Sequence, residues 1–298
     1  MSDKLKAISK KLNAVPIDVT NLSKHYYGGN DMPPFLCGLV MRGPNGIRQR
    51  VDGSAIAFKT KVGHGFVAAI NKLDPTNKDA KRARENYTTF KASLASGEFV
   101  DLSIVGVPEF KFERHYDLAN IGPTYLAIFR MDTNPKTPLM TLDSIIDDVT
   151  SAKLGANVFP IGYAEGNIRA LDECKNMVPA LKKEHQTLGI LVLDEQPQLH
   201  IVTCVIDETG FGQKDGPGVY CATLVPCSSK GNVLEIFKHV FVADFKTQRG
   251  MGSCPVLDGD NHLVGFCDYA DTQGNSHVIN ANLILQILND FFNFPFFP

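Results

Sequence analysis

The 298-residue sequence lacks several features that would place it in a broad protein class at once. Its formal net charge is only -2, so the composition does not favour a nucleic-acid partner. It has no apolar run of the roughly 20 residues that a membrane span requires, and no apolar signal segment follows Met1. Its seven cysteines are an odd number without a C-x-x-C pair, which argues against a disulfide framework and a zinc site. We therefore expect reduced thiols, no metal, no cofactor, no membrane contact and a cytoplasmic location.

Short apolar runs separated by turns dominate the chain, which is typical of an all-β fold with accessory helices. In a first region, residues 35–131, the predicted strands are 36–41, 53–59, 65–70, 100–107 and 125–129. In a second region, residues 156–281, they are 156–163, 189–193, 199–206, 218–225, 240–245, 254–257, 263–269 and 276–279. The pattern therefore predicts two β-barrels.

Two further segments precede and join these regions. Residues 1–34 form a basic arm with one short amphipathic helix, since apolar side chains recur at helical spacing at Leu5, Ile8 and Leu12. Residues 132–155 are predicted to be a linker with a helix at 144–152. We expect the arm to lie outside the first barrel.

The second half of the chain carries two more predicted helices and an aromatic end. One helix, 169–188, interrupts the second barrel, and Asn282 is predicted to cap a last helix, 283–289. The final segment, 282–298, ends in a Phe-rich tail from residue 291 onwards. Because so apolar a tail must be buried, the tail and the basic arm together predict a protein partner or self-assembly.

The most informative stretch is the turn 250–255, Gly-Met-Gly-Ser-Cys-Pro, which is followed by a Leu-Val-Gly-Phe strand at 263–266. It resembles the nucleophile loop, Gly-x-Ser/Cys-Gly-x-Pro, of the chymotrypsin-like proteases. The resemblance implies two six-stranded β-barrels packed as in that family and a C-terminal helix. It also implies a base and an acid from the first barrel and a nucleophile from the second. Short loops and the lack of disulfides are most similar to the viral members of the family.

Three other segments extend the resemblance over about residues 35–290. Residues 53–71 are similar to the family's hairpin that ends in Val-Thr-Ala-Ala-His, and this alignment puts Asn71 at the histidine position. Residues 99–108 are similar to the strand that carries the acid, which selects Asp101. Residues 159–163, Phe-Pro-Ile-Gly-Tyr, are similar to the strand that enters the family's second barrel.

The alignment that preserves the surrounding strands leaves two of the three catalytic positions without a reactive group. Alignment on Pro255 puts Gly252 in the nucleophile position, where it has no side chain. The amide of Asn71 does not titrate in water and cannot act as a general base. With Asn71, Asp101 and Gly252 as a degenerate triad, the leading hypothesis is a non-catalytic family member that acts as a binding or self-assembling structural module.

An active cysteine or serine endopeptidase is the alternative hypothesis. Alignment on the oxyanion donors makes Cys254 the nucleophile and Gly252 part of the oxyanion hole, with Ser253 as a second possible nucleophile. His64 would then be the base and Asp101 the acid. This hypothesis requires an imidazole within hydrogen-bond reach of the Cys254 sulfur or the Ser253 oxygen.

Overall fold

A computed structural model describes residues 15–18, 33–42, 49–71, 73, 89–94, 98–112, 124–169, 186–193, 196–205, 220–247, 250–271 and 273–293. Over these residues the fold is all-β with two accessory helices. Helix α1 spans Leu142–Asp147 and helix α2 spans Ala281–Asn293.

The first barrel is a closed ring of six antiparallel strands. Its strands are β2 (Leu36–Arg42), β3 (Gln49–Lys59), β4 (Gly65–Ile70), β5 (Thr89–Leu94), β6 (Phe99–Gly106) and β8 (Thr124–Met131). The order around the ring is β4-β3-β2-β5-β6-β8, and pairing of β4 with β8 closes it. A two-residue strand, β7 (Glu109–Phe110), pairs with the start of β8. The interior is filled by small and aromatic apolar side chains such as Ala57, Val67 and Phe129.

The second barrel is also a closed ring of six antiparallel strands. Its strands are β9 (Asn157–Arg169), β13 (Gly231–Ile236), β14 (Val240–Ala243), β15 (Pro255–Asp258), β16 (Leu263–Ala270) and β17 (Ser276–Asn280). The order is β9-β13-β14-β17-β16-β15, and pairing of β9 with β15 closes the ring. Both barrels and the C-terminal helix confirm the predicted fold class.

Strand β9 is longer than the barrel needs, and its second half carries a sheet extension. Strand β12 (Tyr220–Ser228) pairs with one edge of β9, and β10 (Gln186–Leu193) pairs with the other. Strand β11 (Gln196–Val205) follows β10, and β1 (Val15–Asp18) lies parallel to β11 at the edge.

A third apolar cluster joins the two barrels and is covered by α2. It combines Phe66 and Ile128 of the first barrel with Ile161 and Phe266 of the second. The buried face of α2 completes it with Ile284, Leu285 and Leu288.

The start of the Phe-rich tail belongs to α2 and folds onto the chain's own first barrel. The Phe292 ring lies 4.5 Å from the Phe66 ring and 5.7 Å from the Phe58 ring, measured between centroids. Phe291 is so close to β6 that a Cβ on Gly106 would lie 3.2 Å from its ring. The first two tail aromatics therefore stabilise the contact of α2 with the first barrel.

Several local predictions are wrong. The predicted helix 169–188 begins in β9, which includes Arg169, and ends in β10, which starts at Gln186, while 170–185 lie outside the described residues. Strands β5 and β13 were not predicted, because polar residues such as Lys91 and Glu235 interrupt their apolar pattern. Helix α1 is shorter than the predicted 144–152, and Asn282 lies inside α2 rather than before it. The helix predicted around Leu5, Ile8 and Leu12 lies outside the described residues.

Two observations concern the thiols and the membrane. Cys37, Cys254 and Cys267 are buried and form no disulfide. Neither described helix is long and apolar enough to cross a membrane.

Candidate functional site

The loop 250–254 enters β15 through a tight turn and a β-bulge. The Cys254 N–H donates to the Met251 carbonyl at 3.0 Å, which closes the turn. The Ser253 N–H donates to the Cys267 carbonyl at 2.8 Å, and the Cys267 N–H donates to the Cys254 carbonyl at 2.9 Å. Ser253 has a φ of 69°, the left-handed backbone that the first residue of such a bulge adopts and that favours glycine. In the alignment on Pro255, Gly252 occupies the nucleophile position. Ser253 therefore occupies the position of the glycine that follows the nucleophile in the family pattern.

The Ser253 hydroxyl is buried and joins the two barrels. It donates to the Ile70 carbonyl at 2.9 Å and accepts the Ile70 N–H at 2.8 Å. These two bonds use its proton and one of its lone pairs on the backbone at the end of β4. A hydroxyl held in this way satisfies backbone groups that would otherwise be buried without partners.

Asn71, the next residue, makes a second connection between the barrels. Its φ of 56° is left-handed, a conformation that asparagine tolerates better than most residues. Its N–H donates to the Tyr125 carbonyl at 2.7 Å, and its Oδ1 accepts the Tyr125 N–H at 3.0 Å. Its Nδ2 donates to Asp268 Oδ1 on β16 at 2.8 Å. The two side-chain bonds suit an uncharged amide that offers both a donor and an acceptor.

A third connection comes from β3. The Ser54 N–H donates to the Gly250 carbonyl at 3.1 Å, and the Ser54 hydroxyl accepts the Tyr163 N–H at 2.7 Å. Gly53 has a φ of 96°, and a Cβ there would lie 1.6 Å from the Gly250 oxygen. Only glycine allows the backbone of β3 to approach the backbone of the loop 250–254 this closely. We call the contacts of Ser54, Ile70 and Asn71 with the second barrel the inter-barrel seam.

Buried groups beside the seam stay neutral at ordinary pH. Burial raises the pKa of the Cys37 thiol well above its usual range. Burial is the larger cause, and the nearby Cys37 the smaller cause, of a raised pKa for the Tyr163 hydroxyl. Cys254 is fully buried, and a Cβ on Gly162 would lie 2.5 Å from its Cβ. Reactive cysteines are usually partly exposed, whereas the side chains of Cys37 and Cys254 are both fully buried.

Asp101 lies at the opposite end of the first barrel from Asn71, contrary to the sequence-based alignment. Its carbonyl accepts the Asp132 N–H at the end of β8, whereas Asn71 bonds Tyr125 at the start of that strand. The seven residue steps between them correspond to about 23 Å of extended chain. The Asp101 carboxylate is exposed and pairs with Lys91 Nζ at 3.1 Å. The carboxylate that contacts Asn71 belongs instead to Asp268.

His64 is also separated from the seam. It lies in the exposed turn between β3 and β4, where its carbonyl accepts the Thr60 N–H at 3.0 Å. Six residue steps along β4 separate it from Ile70, or about 20 Å. Its imidazole is therefore out of hydrogen-bond reach of the Ser253 hydroxyl. The set that the alternative hypothesis requires, His64 and Asp101 with Cys254 or Ser253, is not assembled here.

Two groups of titratable side chains lie elsewhere on the second barrel. His277 is buried, stacks on Tyr269 at 4.3 Å between ring centroids, and its Nε2 lies 3.4 Å from Asp271 Oδ2. In the turn between β15 and β16, possible ligand atoms of Asp258, Asp260 and His262 lie within 4.8 Å of one another.

The Asp258 carboxylate organises this turn. It accepts the backbone N–H groups of Asp260 and His262, both at 2.9 Å, and the Thr150 hydroxyl, also at 2.9 Å. Partial burial opposes ionisation of Asp258, but these hydrogen bonds outweigh it and lower its pKa. These hydrogen bonds fix the position of the Asp258 carboxylate within the turn.

Sequence reasoning did not identify Asp268, Ser54 or Ile70 as parts of the site. Asp268 lies inside the predicted strand 263–269, two residues after Phe266, so a polar residue that follows a run of buried residues was its only signal. Ile70 takes part through its backbone, which no side-chain pattern reveals.

No protein-family model matches the chain, and the search of curated proteins gives no match. Among solved structures, the chain is similar to the MamO protease domain from Magnetospirillum magneticum in its apo form. The two share 14% sequence identity, and the match covers 87% of this chain and 97% of that chain with a TM-score of 0.43.

Proposed function

We propose that this chain is a non-catalytic protein with a protease-like two-barrel fold that acts as a binding or self-assembling module. The observation that carries this proposal is that the Ser253 hydroxyl hydrogen-bonds to both the N–H and the carbonyl of Ile70. The residue before it, Gly252, is at the nucleophile position and has no side chain. In acyl transfer a hydroxyl must give its proton to a base and attack a substrate, and a hydroxyl committed to Ile70 does neither.

Asn71 supports the same proposal. At the histidine position it contributes an amide that bonds Tyr125 and Asp268 and thus holds the barrels together. General-base catalysis needs a group that gains and loses a proton near neutral pH. An amide at this position contributes to structure instead of to proton transfer.

The buried state of Cys254 further disfavours the endopeptidase hypothesis. Its side chain is completely inaccessible, so a peptide substrate would reach it only after the loop 250–254 opened. Opening that loop would also break the Ser253 bonds to Ile70. The viral origin and the cytoplasmic location suggested by the sequence stay predictions.

The proposal is tested by incubating the full chain with a pool of unrelated peptides and identifying products by mass spectrometry. Matched variants are Cys254→Ala, which removes the alternative nucleophile, and Cys267→Ala, which removes a buried thiol on the paired strand. We expect no cleavage above background for any of the three proteins. Cleavage that survives in Cys267→Ala and disappears in Cys254→Ala would overturn the proposal.

A further inference from the structure

A groove away from the seam lies between α2 and the edge of the second barrel. It has a volume of about 520 Å³ and is bounded by the first turns of α2, the turn between β13 and β14, and the segment after α1. Its apolar lining residues are Ala152, Ile236, Phe237, Val264 and Leu283. This volume is in the range of about 300–1,000 Å³ that is usual for ligand pockets.

Exposed apolar side chains lie in and near the groove. Ile236, one of the lining residues, is 44% exposed. Leu234 is 42% exposed, but a register shift between Val233 and Glu235 means that strand alternation does not put it on the same face of β13 as Ile236. Leu154 is 70% exposed and lies close to β13, because its neighbour Gly155 donates its N–H to the Val233 carbonyl. An exposed apolar side chain within a groove favours an apolar occupant.

The charge at the groove favours an aromatic occupant. Lys238 is exposed at the rim, and among the described residues no carboxylate forms an ion pair with it. No acidic residue is among those lining the groove. A lysine beside an apolar cavity attracts the negative face of an aromatic ring without requiring a second charge.

The chain itself contains a segment with this chemistry. Residues 294–298, Phe-Pro-Phe-Phe-Pro, follow α2 directly and hold three aromatic side chains and no charge. The two preceding aromatics, Phe291 and Phe292, already pack on the first barrel, so the segment leaves α2 at the end remote from the groove.

Reach and backbone chemistry favour the tail of another molecule over the tail of the same one. Leu283 and Asn293 are ten residues apart on α2, or about 15 Å, and five extended residues span at most about 17 Å. Gln286, the lining residue nearest to Asn293, is seven residues or about 10 Å away, so the chain's own tail could reach this near edge. To reach Leu283 it would have to reverse at Asn293 and run almost fully extended, which leaves only its last residue inside the groove. Phe294 precedes a proline, which disfavours the helical backbone used in common reversals.

We propose that the groove lined by Ile236 and Leu283 docks residues 294–298 of a second copy of the chain. This inference rests on the proposed role as a self-assembling module and names the surface and segment that assemble. Exchange of tails between two grooves gives a two-fold symmetric dimer in which each contact occurs twice.

Sedimentation of the full chain over a range of concentrations tests the docking. One variant, Phe296→Ser with Phe297→Ser, changes the tail, and another, Ile236→Ser, changes the groove. The matched control is Phe99→Ser, which removes an aromatic side chain that is 58% exposed on β6. We expect the dimer dissociation constant to rise at least about tenfold for the tail and groove variants and to stay unchanged for the control.

A crosslinking experiment identifies which molecule supplies the tail. A photoreactive phenylalanine at position 297 is introduced into unlabelled chain, which is mixed with isotope-labelled chain. We expect crosslinks to the β13–β14 turn that join the two isotopic forms. Crosslinks confined to one form, a monomeric wild-type chain, or equal weakening by Phe99→Ser would each overturn the docking proposal. A monomer that cleaves no peptide would overturn the docking but leave the proposed absence of catalysis standing.

Discussion

Removal of the Ser253 hydroxyl is the sharpest perturbation of the inter-barrel seam. In Ser253→Ala, the buried Ile70 N–H and carbonyl lose their partner, and each unsatisfied buried group costs about 1–3 kcal/mol. We therefore expect the free energy of unfolding to fall by about 2–6 kcal/mol, with the upper figure reached only if no water replaces the hydroxyl.

Ser253→Gly separates the hydrogen bonds from the backbone strain. Glycine loses the same two bonds but adopts the observed φ of 69° without the penalty of a Cβ, which is about 1 kcal/mol. We expect it to be less destabilised than Ser253→Ala by about that amount. The order of stability should be wild type, then glycine, then alanine.

Equilibrium urea unfolding measures these differences, provided that the slope with denaturant stays the same for all variants. Ser103→Ala is the matched control, because the Ser103 hydroxyl is exposed and donates to Asp132 Oδ1 at 2.7 Å. Its loss should lower the free energy of unfolding by less than about 0.5 kcal/mol. If Ser253→Ala is no less stable than Ser103→Ala, the hydroxyl does not hold the barrels together and the reasoning is refuted.

Three further predictions concern the seam and the second barrel. Gly53→Ala should not yield folded protein, since its Cβ would meet the Gly250 oxygen. Gly63→Ala, with a similar φ of 90° but open space around it, should lower the free energy of unfolding by only about 1 kcal/mol. Soluble yield and circular dichroism will test both expectations. Asn71→Ala should lower the melting temperature, because it loses the two side-chain hydrogen bonds to the Tyr125 N–H and to Asp268, and a variant that melts with the wild type would contradict this. The pKa of Asp258 is lowered in the folded state, so it stabilises the protein above about pH 4 and that stability is lost on acidification; Asp258→Asn should flatten the acid part of the stability curve.

Much of the fold could be predicted from the sequence, because short apolar runs bounded by turn residues are a local pattern. The strands around Val67 and Val256 are such uninterrupted apolar runs and were identified. Strand β5 was not, since Lys91 and Ser93 sit among its buried residues and its stability comes from neighbours distant in sequence.

The candidate site was predictable only in part. The turn residues Gly252 and Ser253 were recognised because the segment 250–255 resembles the nucleophile loop of the chymotrypsin-like proteases. Asp101 was misplaced, because an acidic residue at the start of an alternating strand says nothing about which end of the barrel it occupies. Asp268 contacts Asn71 across 197 residues, and such a pairing follows only from the packing of the two barrels.

Covalent labelling of the native chain tests the central claim most directly. The protein is treated with a thiol-directed alkylating reagent and, separately, with a serine-directed phosphonate, and the labelled sites are located by mass spectrometry. We predict no label on Ser253 and alkylation of Cys254 only after unfolding, at the same rate as the buried Cys267. Labelling of Ser253, or of Cys254 faster than Cys267 in the folded protein, would contradict the account.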